Sequence, residues 1–192
     1  MSIADLPRKM TTEELLAMPD DGVERWLIRG ELRENRDVDM NRRSPDHGRT
    51  CTSIAFFLKD WARSQAEPRG NVYSGDTMFK MRPDSDSTVG IDVAYVAPEV
   101  EAHTARRAKV IEGAPVVAVE VLSPSDKQED ITEKVEEYLA VGVGQVWVAN
   151  PDFQTLTVYR SEAEPVSYNR QQELTAEPQL PGFRVRVAEL FE

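Results

Sequence analysis

Residues 117–127 read VAVEVLSPSDK and begin with the apolar pattern of a β-strand that is buried on both faces. Side chains alternate along a strand, so Val117, Val119 and Val121 share one face and Glu120 lies on the other. A lone ionised carboxylate buried there would cost on the order of several kcal/mol. We therefore expect a cationic side chain, a metal ion or an open strand end beside Glu120.

A second predicted strand carries the same feature. Residues 91–96 read IDVAYV, an apolar run with Asp92 near its start. If the two strands are neighbours, Asp92 and Glu120 come together, and adjacent carboxylates repel unless a proton or a cation lies between them. Such oxygen ligands suit Mg²⁺ or Mn²⁺. For either acid alone, a helix cap or a partner of an arginine stays an open alternative.

The helix predicted over 127–141 adds a cation to this pair. Lys134 lies about 90° from the centre of the apolar face of that helix. Its neighbours on the helix surface are Ile131 and Tyr138, so it can reach towards the sheet. A salt bridge to Asp130, one turn away, is the alternative, and spacing alone leaves both open.

The rest of the chain alternates helical and strand patterns. Predicted in order are a short helix from Thr11, a hairpin over 24–34 that turns at 29–31, a long helix over 46–65, strands at 71–74 and 78–81, a polar exposed stretch over 97–113, strands at 145–149 and 155–159, and a tail with a hairpin and a final turn at 187–191. This order predicts an α/β (α+β) fold with a mixed sheet. A chain of 192 residues is expected to form a single domain (1–192), with a core over about 11–160 and a C-terminal hairpin extension over about 161–192.

The composition excludes several classes of protein. There is one cysteine, Cys51, so no intrachain disulfide can form, as in proteins of a reducing compartment. With two histidines, His47 and His103, a tetrahedral zinc site is not expected. No apolar run approaches the roughly 20 residues that span a bilayer, and the N-terminus lacks a signal-peptide pattern. A cytoplasmic protein without membrane association is therefore expected.

The net charge of −11 bears on possible partners. Phosphate backbones attract Lys and Arg, so this charge argues against tight non-specific binding of nucleic acid, although a local basic cleft stays possible. Candidate phosphate contacts are Arg42, Arg43 and Arg49, with a solvated loop as an equal alternative. Clustered carboxylates instead favour divalent cations.

Six blocks of the sequence, in order, read GELRE, SPDHGR, IDVAYV, VAVEVLSPSD, EKVEEYLAVGV and QVWVANP. Together they resemble the Uma-type restriction endonucleases of bacteria, a family of the PD-(D/E)XK nuclease superfamily. The resemblance runs from about Thr11 to Phe191. It implies a restriction-endonuclease-like mixed central sheet flanked by helices, and a site that uses Mg²⁺ or Mn²⁺ to hydrolyse phosphodiester bonds of DNA.

The resemblance also implies roles for particular residues. Carried over position by position, Asp92 and Glu120 are the metal-binding acids, and Lys134 is the catalytic lysine of the following helix. Glu31, in the Gly-Glu-Leu block, matches an acid that often completes such sites. His47 matches a position of less defined role, and a helix-start residue held by the local backbone is its simpler interpretation.

Two neighbours of these residues join the candidate site. The backbone carbonyl of Val121 is a further candidate metal ligand beside Glu120. Tyr138, one turn after Lys134, is a candidate hydrogen-bond donor, although its place on the apolar face is also typical of a tyrosine at the edge of a core.

The sequence departs from the family pattern in two places. Ile91 stands where the family has a proline before Asp92, and the literal Pro83-Asp84 lies in a predicted polar loop and is not assigned to the site. Leu122 stands where the superfamily has a lysine. The helix lysine substitutes in the Uma-type family, so activity depends on whether Lys134 reaches Glu120. Otherwise a catalytically silent nuclease-fold module that binds protein or nucleic acid is expected. Because cutting both DNA strands needs two sites, a homodimer is a further expectation.

Overall fold

The computed structural model describes residues 8–35, 44–82, 86–124 and 126–192, which form four α-helices and eleven strands. The helices are α1 (Thr12–Leu16), α2 (Pro45–Ser64), α3 (Pro98–His103) and α4 (Gln128–Ala140). The strands are β1 (Glu24–Ile28), β2 (Glu31–Asn35), β3 (Asn71–Lys80), β4 (Thr88–Val96), β5 (Ile111–Glu112), β6 (Val117–Val121), β7 (Gln145–Asn150), β8 (Thr155–Arg160), β9 (Ala163–Asn169), β10 (Glu173–Thr175) and β11 (Arg184–Arg186). A 3-10 helix follows at Val187–Phe191. Within the described ranges, no helix is long and apolar enough to cross a membrane.

The main sheet is mixed and has nine strands, with β2-β1-β4-β6-β7-β8-β9 as its longest path and β3 and β5 joined beside β4. β6 and β7 run parallel, and β4 is antiparallel to β1, β3 and β6. This arrangement confirms the predicted mixed central sheet flanked by helices.

Strand β4 changes its partner along one edge. β3 pairs along the whole length of β4 and occupies the other edge. On the first edge, β1 pairs only at Thr88, whereas β6 pairs at Val93, Ala94 and Tyr95. The segment between these two pairings, which includes Asp92, therefore faces an opening between β1 and β6.

Each face of the sheet has its own core because side chains alternate along the central strands. One cluster joins α2 to the sheet through Ile54, Leu58, Val93, Val117, Val119, Val121 and Trp147. The other joins α4 to the sheet through Trp26, Ala118, Ile131, Val135, Tyr138, Val146 and Val148. Glu120 consequently lies on the face that α4 covers, on the same side of β6 as Ala118.

Two predicted boundaries differ from the structure. The strands expected at 71–74 and 78–81 form the single strand β3, which is interrupted by a register shift between Ser74 and Thr77. Gly75 and Asp76 there have φ values of +85° and +60°, the geometry of a bulge that the alternation of the sequence hides. Gly90 lies nearby, where a Cβ atom would come within 2.9 Å of Asp76 Oδ1, so a side chain at position 90 would displace the carboxylate of Asp76. The exposed stretch expected at 97–113 contains α3 and β5.

The C-terminal segment is more than a peripheral hairpin. β10 and β11 do form a hairpin, but β9 extends the main sheet beside β8. Apolar side chains of this segment complete the α2-side core, among them Leu174, Leu180, Phe183, Val185, Leu190 and Phe191. Trp61 of α2 donates from Nε1 to the carbonyl of Pro181 over 3.0 Å, and Phe183 packs against Trp147. The expected extension over 161–192 therefore contributes directly to the core.

A buried carboxylate fixes α4 against the β1–β2 turn. Glu137 is 1% exposed and accepts hydrogen bonds from Ser87 Oγ (2.5 Å), Arg82 Nε (2.9 Å) and Arg29 Nε (2.9 Å). Burial by itself would raise the pKa of Glu137, but these hydrogen bonds outweigh it and lower the pKa below the ordinary value. The ionised form is therefore the one that stabilises the fold.

We expect Glu137→Gln to lower the free energy of unfolding at neutral pH by about 2 kcal/mol, because charge-assisted hydrogen bonds are lost. Since the folded-state pKa is depressed, this stabilisation is present above pH 4.5 and is lost as the pH falls through the folded-state pKa. Urea unfolding at several pH values measures the difference, which should shrink below pH 4.5. Glu136→Gln, at the exposed neighbouring position, is the control and should change stability by less than about 0.5 kcal/mol. An equal effect of the two substitutions would contradict the role given to Glu137.

Candidate active site

Asp92 closes the opening at the edge of β4. Its carboxylate is buried, and Oδ2 accepts a hydrogen bond from the backbone N–H of Val121 over 2.8 Å. This bond lies just beyond the last paired residues of β4 and β6, Val93 and Val119. The carboxylate of Asp92 is thereby held beside the end of β6, where Glu120 is located.

Two side chains of α4 bind Glu120. Lys134 Nζ donates to Glu120 Oε2 over 3.1 Å, and Tyr138 Oη donates to Oε1 over 2.6 Å. Both donors lie on the same face of α4 because they are one turn apart. Glu120 and Lys134 are 4% and 7% exposed, so the contact is an ion pair within the core. The burial of the Glu120 carboxylate is thus offset by an ammonium and a hydroxyl group from α4.

The pKa values follow from this burial. Burial and the nearby charge of Asp92 raise the pKa of Glu120 to about 7, although Lys134 and Tyr138 oppose the shift. Burial opposes the charge on Lys134, but Glu120, Glu24 and Asp92 outweigh it and raise the pKa of the ammonium. Burial and the charge of Glu120 also raise the pKa of Tyr138 well above its ordinary value. Lys134 therefore stays charged and Tyr138 stays a hydrogen-bond donor at neutral pH.

A different acid from the expected one faces Lys134. Glu24 Oε1 lies 3.9 Å from Lys134 Nζ, which also lies 5.3 Å from the ring centre of Trp26. Glu31 instead lies at the opposite end of the hairpin, paired with Ile28, and accepts from Arg33 over 3.1 Å. The structure therefore does not bring Glu31 to the Asp92–Glu120 pair.

The alternation of β1 contains the signal that points to Glu24. Within Glu24–Ile28, Glu24 shares a strand face with Trp26 and Ile28, and both of these belong to the α4-side core. An acid in that register must face α4. Glu24 was not predicted, because the resemblance to the family points to Glu31 in the Gly-Glu-Leu block at the turn.

His47 approaches Asp92 from the other side. Ser44 caps α2 by accepting from the N–H of His47 over 3.1 Å, which sets His47 in the first turn of the helix. The imidazole is buried, and its Nε2 lies 3.3 Å from Asp92 Oδ2. The Nδ1 atom lies 3.6 Å from the sulfur of Cys51, one turn further along α2. The proximity of Cys51 was not expected from the sequence.

A pocket of about 420 Å³ leads to Asp92 from the surface. It runs between the first turns of α2 and the bulge of β3, and its lining residues are His47, Gly48, Cys51, Thr52, Ser74, Gly75, Asp76 and Asp92. The bulge turns Asp76 into this pocket, a position that no periodic pattern in the sequence predicts. Asp92 is thus the member of the carboxylate pair that borders the pocket.

The other predicted residues are distributed as follows. Leu122 is partly buried in the α4-side core, so Lys134 is the lysine that contacts Glu120. Val121 contributes its N–H to Asp92. Arg49 forms an ion pair with Asp46 in the first turns of α2. Arg42 and Arg43 lie outside the described residues.

The carboxylate oxygens gathered near Lys134 are suited to binding a divalent cation. Three carboxylates, those of Asp92, Glu120 and Glu24, act on the single ammonium of Lys134. The cluster therefore brings carboxylate oxygens from β1, β4 and β6 towards one another. Hard cations such as Mg²⁺ are bound by this kind of donor set.

Comparisons with known proteins identify the family and the fold. The model of the Uma2 family, described as putative restriction endonuclease, matches residues 12–188. A crystal structure of a putative nuclease belonging to DUF820 from Anabaena variabilis superposes with a TM-score of 0.78 at 17% identity, covering 95% of this chain and 97% of the other. That likeness confirms the mixed α/β fold. No curated protein sequence matches significantly. Because the family model covers nearly the whole chain, the protein belongs to the Uma2 family.

Proposed function

We propose that the protein is a divalent-metal-dependent endonuclease that hydrolyses phosphodiester bonds of DNA. The observation that carries the proposal is the buried pair of Asp92 and Glu120 with the ammonium of Lys134 at 3.1 Å from Glu120. A buried lysine beside two acids, next to a pocket, is a costly arrangement that a purely structural core does not need. Membership of a family described as restriction endonucleases supports the same chemistry.

Asp92 and Glu120 would hold the cation, Mg²⁺ or Mn²⁺, with the carbonyl of Val121 as a further oxygen donor. When bound, such an ion polarises a phosphoryl oxygen and lowers the pKa of a coordinated water. The two carboxylates come from neighbouring strands, so the sheet itself fixes their separation. The negative charge of the two ionised carboxylates would attract the cation.

Lys134 supplies positive charge where the superfamily lysine is missing. Its ammonium stays protonated because its pKa is raised by the surrounding carboxylates. Phosphodiester hydrolysis builds negative charge on the phosphate oxygens, and a preorganised cation stabilises that charge in a site from which water is excluded. Lys134 reaches the same carboxylate from α4 that a lysine at position 122 would approach from β6.

Tyr138 and His47 act as positioning residues for the two acids. Tyr138 Oη binds Glu120 Oε1 at 2.6 Å, and His47 Nε2 lies 3.3 Å from Asp92 Oδ2. Hydrogen bonds of this kind fix the orientation of a metal-binding carboxylate. Each acid thus has one oxygen engaged by a neighbouring helix, α4 for Glu120 and α2 for Asp92.

We expect Tyr138→Phe to weaken Mn²⁺ binding by about tenfold, because outer partners of metal ligands contribute about 10- to 100-fold to affinity. The ring stays in the core, so the thermal unfolding midpoint should change little. Mn²⁺ titration by calorimetry measures the effect, and Tyr168→Phe, on the other face of the sheet, is the control. Unchanged affinity in Tyr138→Phe would remove Tyr138 from the site.

DNA would approach through the pocket that borders Asp92. Because the net charge is −11, local cations must hold the phosphates, and the segment around the start of α2 carries Arg42, Arg43 and Arg49. Such contacts position the backbone without reading the sequence. A homodimer would place two such sites on a duplex, as cutting of both strands requires.

Cleavage of DNA tests the proposal. Supercoiled plasmid and linear duplex are incubated with the protein in Mg²⁺ or Mn²⁺, and with EDTA as the control. Nicking or linearisation that depends on the metal is expected. Binding of DNA without any cleavage in either metal would favour the alternative, a catalytically silent nuclease-fold module, which the absence of a lysine at position 122 suggests.

A further inference from the structure

A second group of metal ligands shares Asp92 with the proposed magnesium site. His47, Cys51 and Asp92 each offer one ligand atom, and these atoms lie within 4.8 Å of one another. His47 and Asp92 are buried, whereas Cys51 is partly buried and borders the pocket. His47 and Cys51 lie one turn apart on α2, so their side chains project from the same face of the helix.

The three donors differ chemically from those of Asp92 and Glu120. One sulfur, one imidazole nitrogen and one carboxylate oxygen are ligands of a tetrahedral Zn²⁺ site, with bonds of about 2.0–2.3 Å. Ligand atoms around such an ion are about 3.5 Å apart, so donor atoms that already lie within 4.8 Å of one another are close enough to share it after small side-chain shifts. Cys51 Sγ lies 3.6 Å from Nδ1 of His47 and Asp92 Oδ2 lies 3.3 Å from Nε2, so the imidazole must turn to offer one nitrogen to the shared ion. Thiolate and imidazole select zinc-like cations, whereas Mg²⁺ prefers oxygen ligands alone.

The pocket supplies the remaining coordination position. Three protein ligands leave one place for water, as in zinc sites that exchange ligands with solvent. The cavity of about 420 Å³ beside the three residues gives an ion a route from solvent. A count of cysteines and histidines in the sequence does not reveal this group, because its third donor is a carboxylate of the sheet.

We propose that His47, Cys51 and Asp92 bind Zn²⁺ and that this ion inhibits the nuclease by taking Asp92 away from the magnesium site. Binding converts the Cys51 thiol to a thiolate and releases its proton to solvent, and the bond that forms is between zinc and sulfur. The proposed inhibition by Zn²⁺ rests on the proposed endonuclease function, whereas the proposed binding of Zn²⁺ does not depend on it.

Cobalt is the probe for the binding step, because Co²⁺ replaces Zn²⁺ and a cobalt–thiolate bond absorbs in the near ultraviolet. The sequence has one cysteine, so a thiolate band can arise only from Cys51. Titration of the reduced protein should give this band with one Co²⁺ per chain, and Zn²⁺ should abolish it. Cys51→Ser and Cys51→Ala should remove the band and weaken Zn²⁺ binding at least about tenfold, since a direct ligand matters no less than an outer partner.

The second histidine gives a matched control. His47→Ala should weaken Zn²⁺ binding at least about tenfold, whereas His103→Ala, on the exposed helix α3, should bind as the parent does. No thiolate band in the parent protein, or unchanged Zn²⁺ affinity in the Cys51 variants, would overturn the site.

Inhibition is measured separately, as the Zn²⁺ concentration that halves Mg²⁺-dependent cleavage of plasmid DNA. Measured against its own rate without Zn²⁺, Cys51→Ser should need at least about tenfold more Zn²⁺ for half inhibition. Equal sensitivity of the two proteins would overturn the inhibitory role. A parent protein that shows the cobalt band but cuts no DNA would refute the endonuclease proposal and leave the zinc site supported.

Discussion

Glu120→Gln and Asp92→Asn should each lower metal-dependent DNA cleavage by about a thousandfold or more. The amides keep the shape of the carboxylates but remove the negative charge that would hold the cation. Asp92 also accepts the N–H of Val121 at 2.8 Å, a bond that asparagine can keep through its carbonyl oxygen. Nicking of supercoiled plasmid under single-turnover conditions measures the loss, at saturating and at rising concentrations of Mg²⁺.

Glu129→Gln is the control for these two substitutions, because Glu129 is exposed in the first turn of α4. It should cleave at the parental rate. Circular dichroism shows whether each variant remains folded, which separates loss of the site from loss of the structure. More than a tenth of the parental rate in a folded Glu120→Gln or Asp92→Asn protein would contradict the assignment of the acids.

Lys134→Met should lower the rate of cleavage by about a hundredfold to a thousandfold without weakening metal binding. The ammonium lies 3.1 Å from Glu120 Oε2 and competes with a metal ion for that oxygen, so its removal should leave metal affinity unchanged or higher. Methionine keeps much of the length and apolar stem of lysine. Slower cleavage with unchanged metal affinity would show that Lys134 stabilises the reacting phosphate and does not hold the cation.

The measurement combines Mn²⁺ calorimetry with single-turnover cleavage at alkaline pH, where Glu120 is ionised despite its raised pKa. Lys127→Met, at the exposed residue before α4, is the control and should change neither quantity. Equal losses of metal affinity and of cleavage in Lys134→Met would mean that Lys134 supports the fold of the site rather than the reaction.

The central part of this site was predictable because it depends on short-range periodicity. The period of a strand places Glu120 opposite Val119 and Val121, and the period of a helix places Lys134 and Tyr138 on one face. Once β6 and α4 pack together, those two rules bring the three side chains into contact. The acid within the apolar run at 91–96 pointed to Asp92, and the resemblance to a nuclease family added His47; both lie on elements distant in the sequence from β6 and α4.

The parts that were missed depend on register and on long-range packing. Glu24 rather than Glu31 faces Lys134, because the pairing of β1 with β2 places the two acids at opposite ends of the hairpin. Asp76 enters the pocket through a bulge with positive φ values, which breaks the alternation that sequence reasoning relies on. The tail was underestimated because its apolar residues are spread over short strands and turns with no single period.

The position of a bound metal ion tests the central claim most directly. Crystals of the protein grown with Mn²⁺, and measured for the anomalous scattering of manganese, would locate the ion without reference to activity. A peak within bonding distance of carboxylate oxygens of both Asp92 and Glu120 is the predicted result. Manganese bound elsewhere, with Glu120 still joined only to Lys134 and Tyr138, would contradict the account.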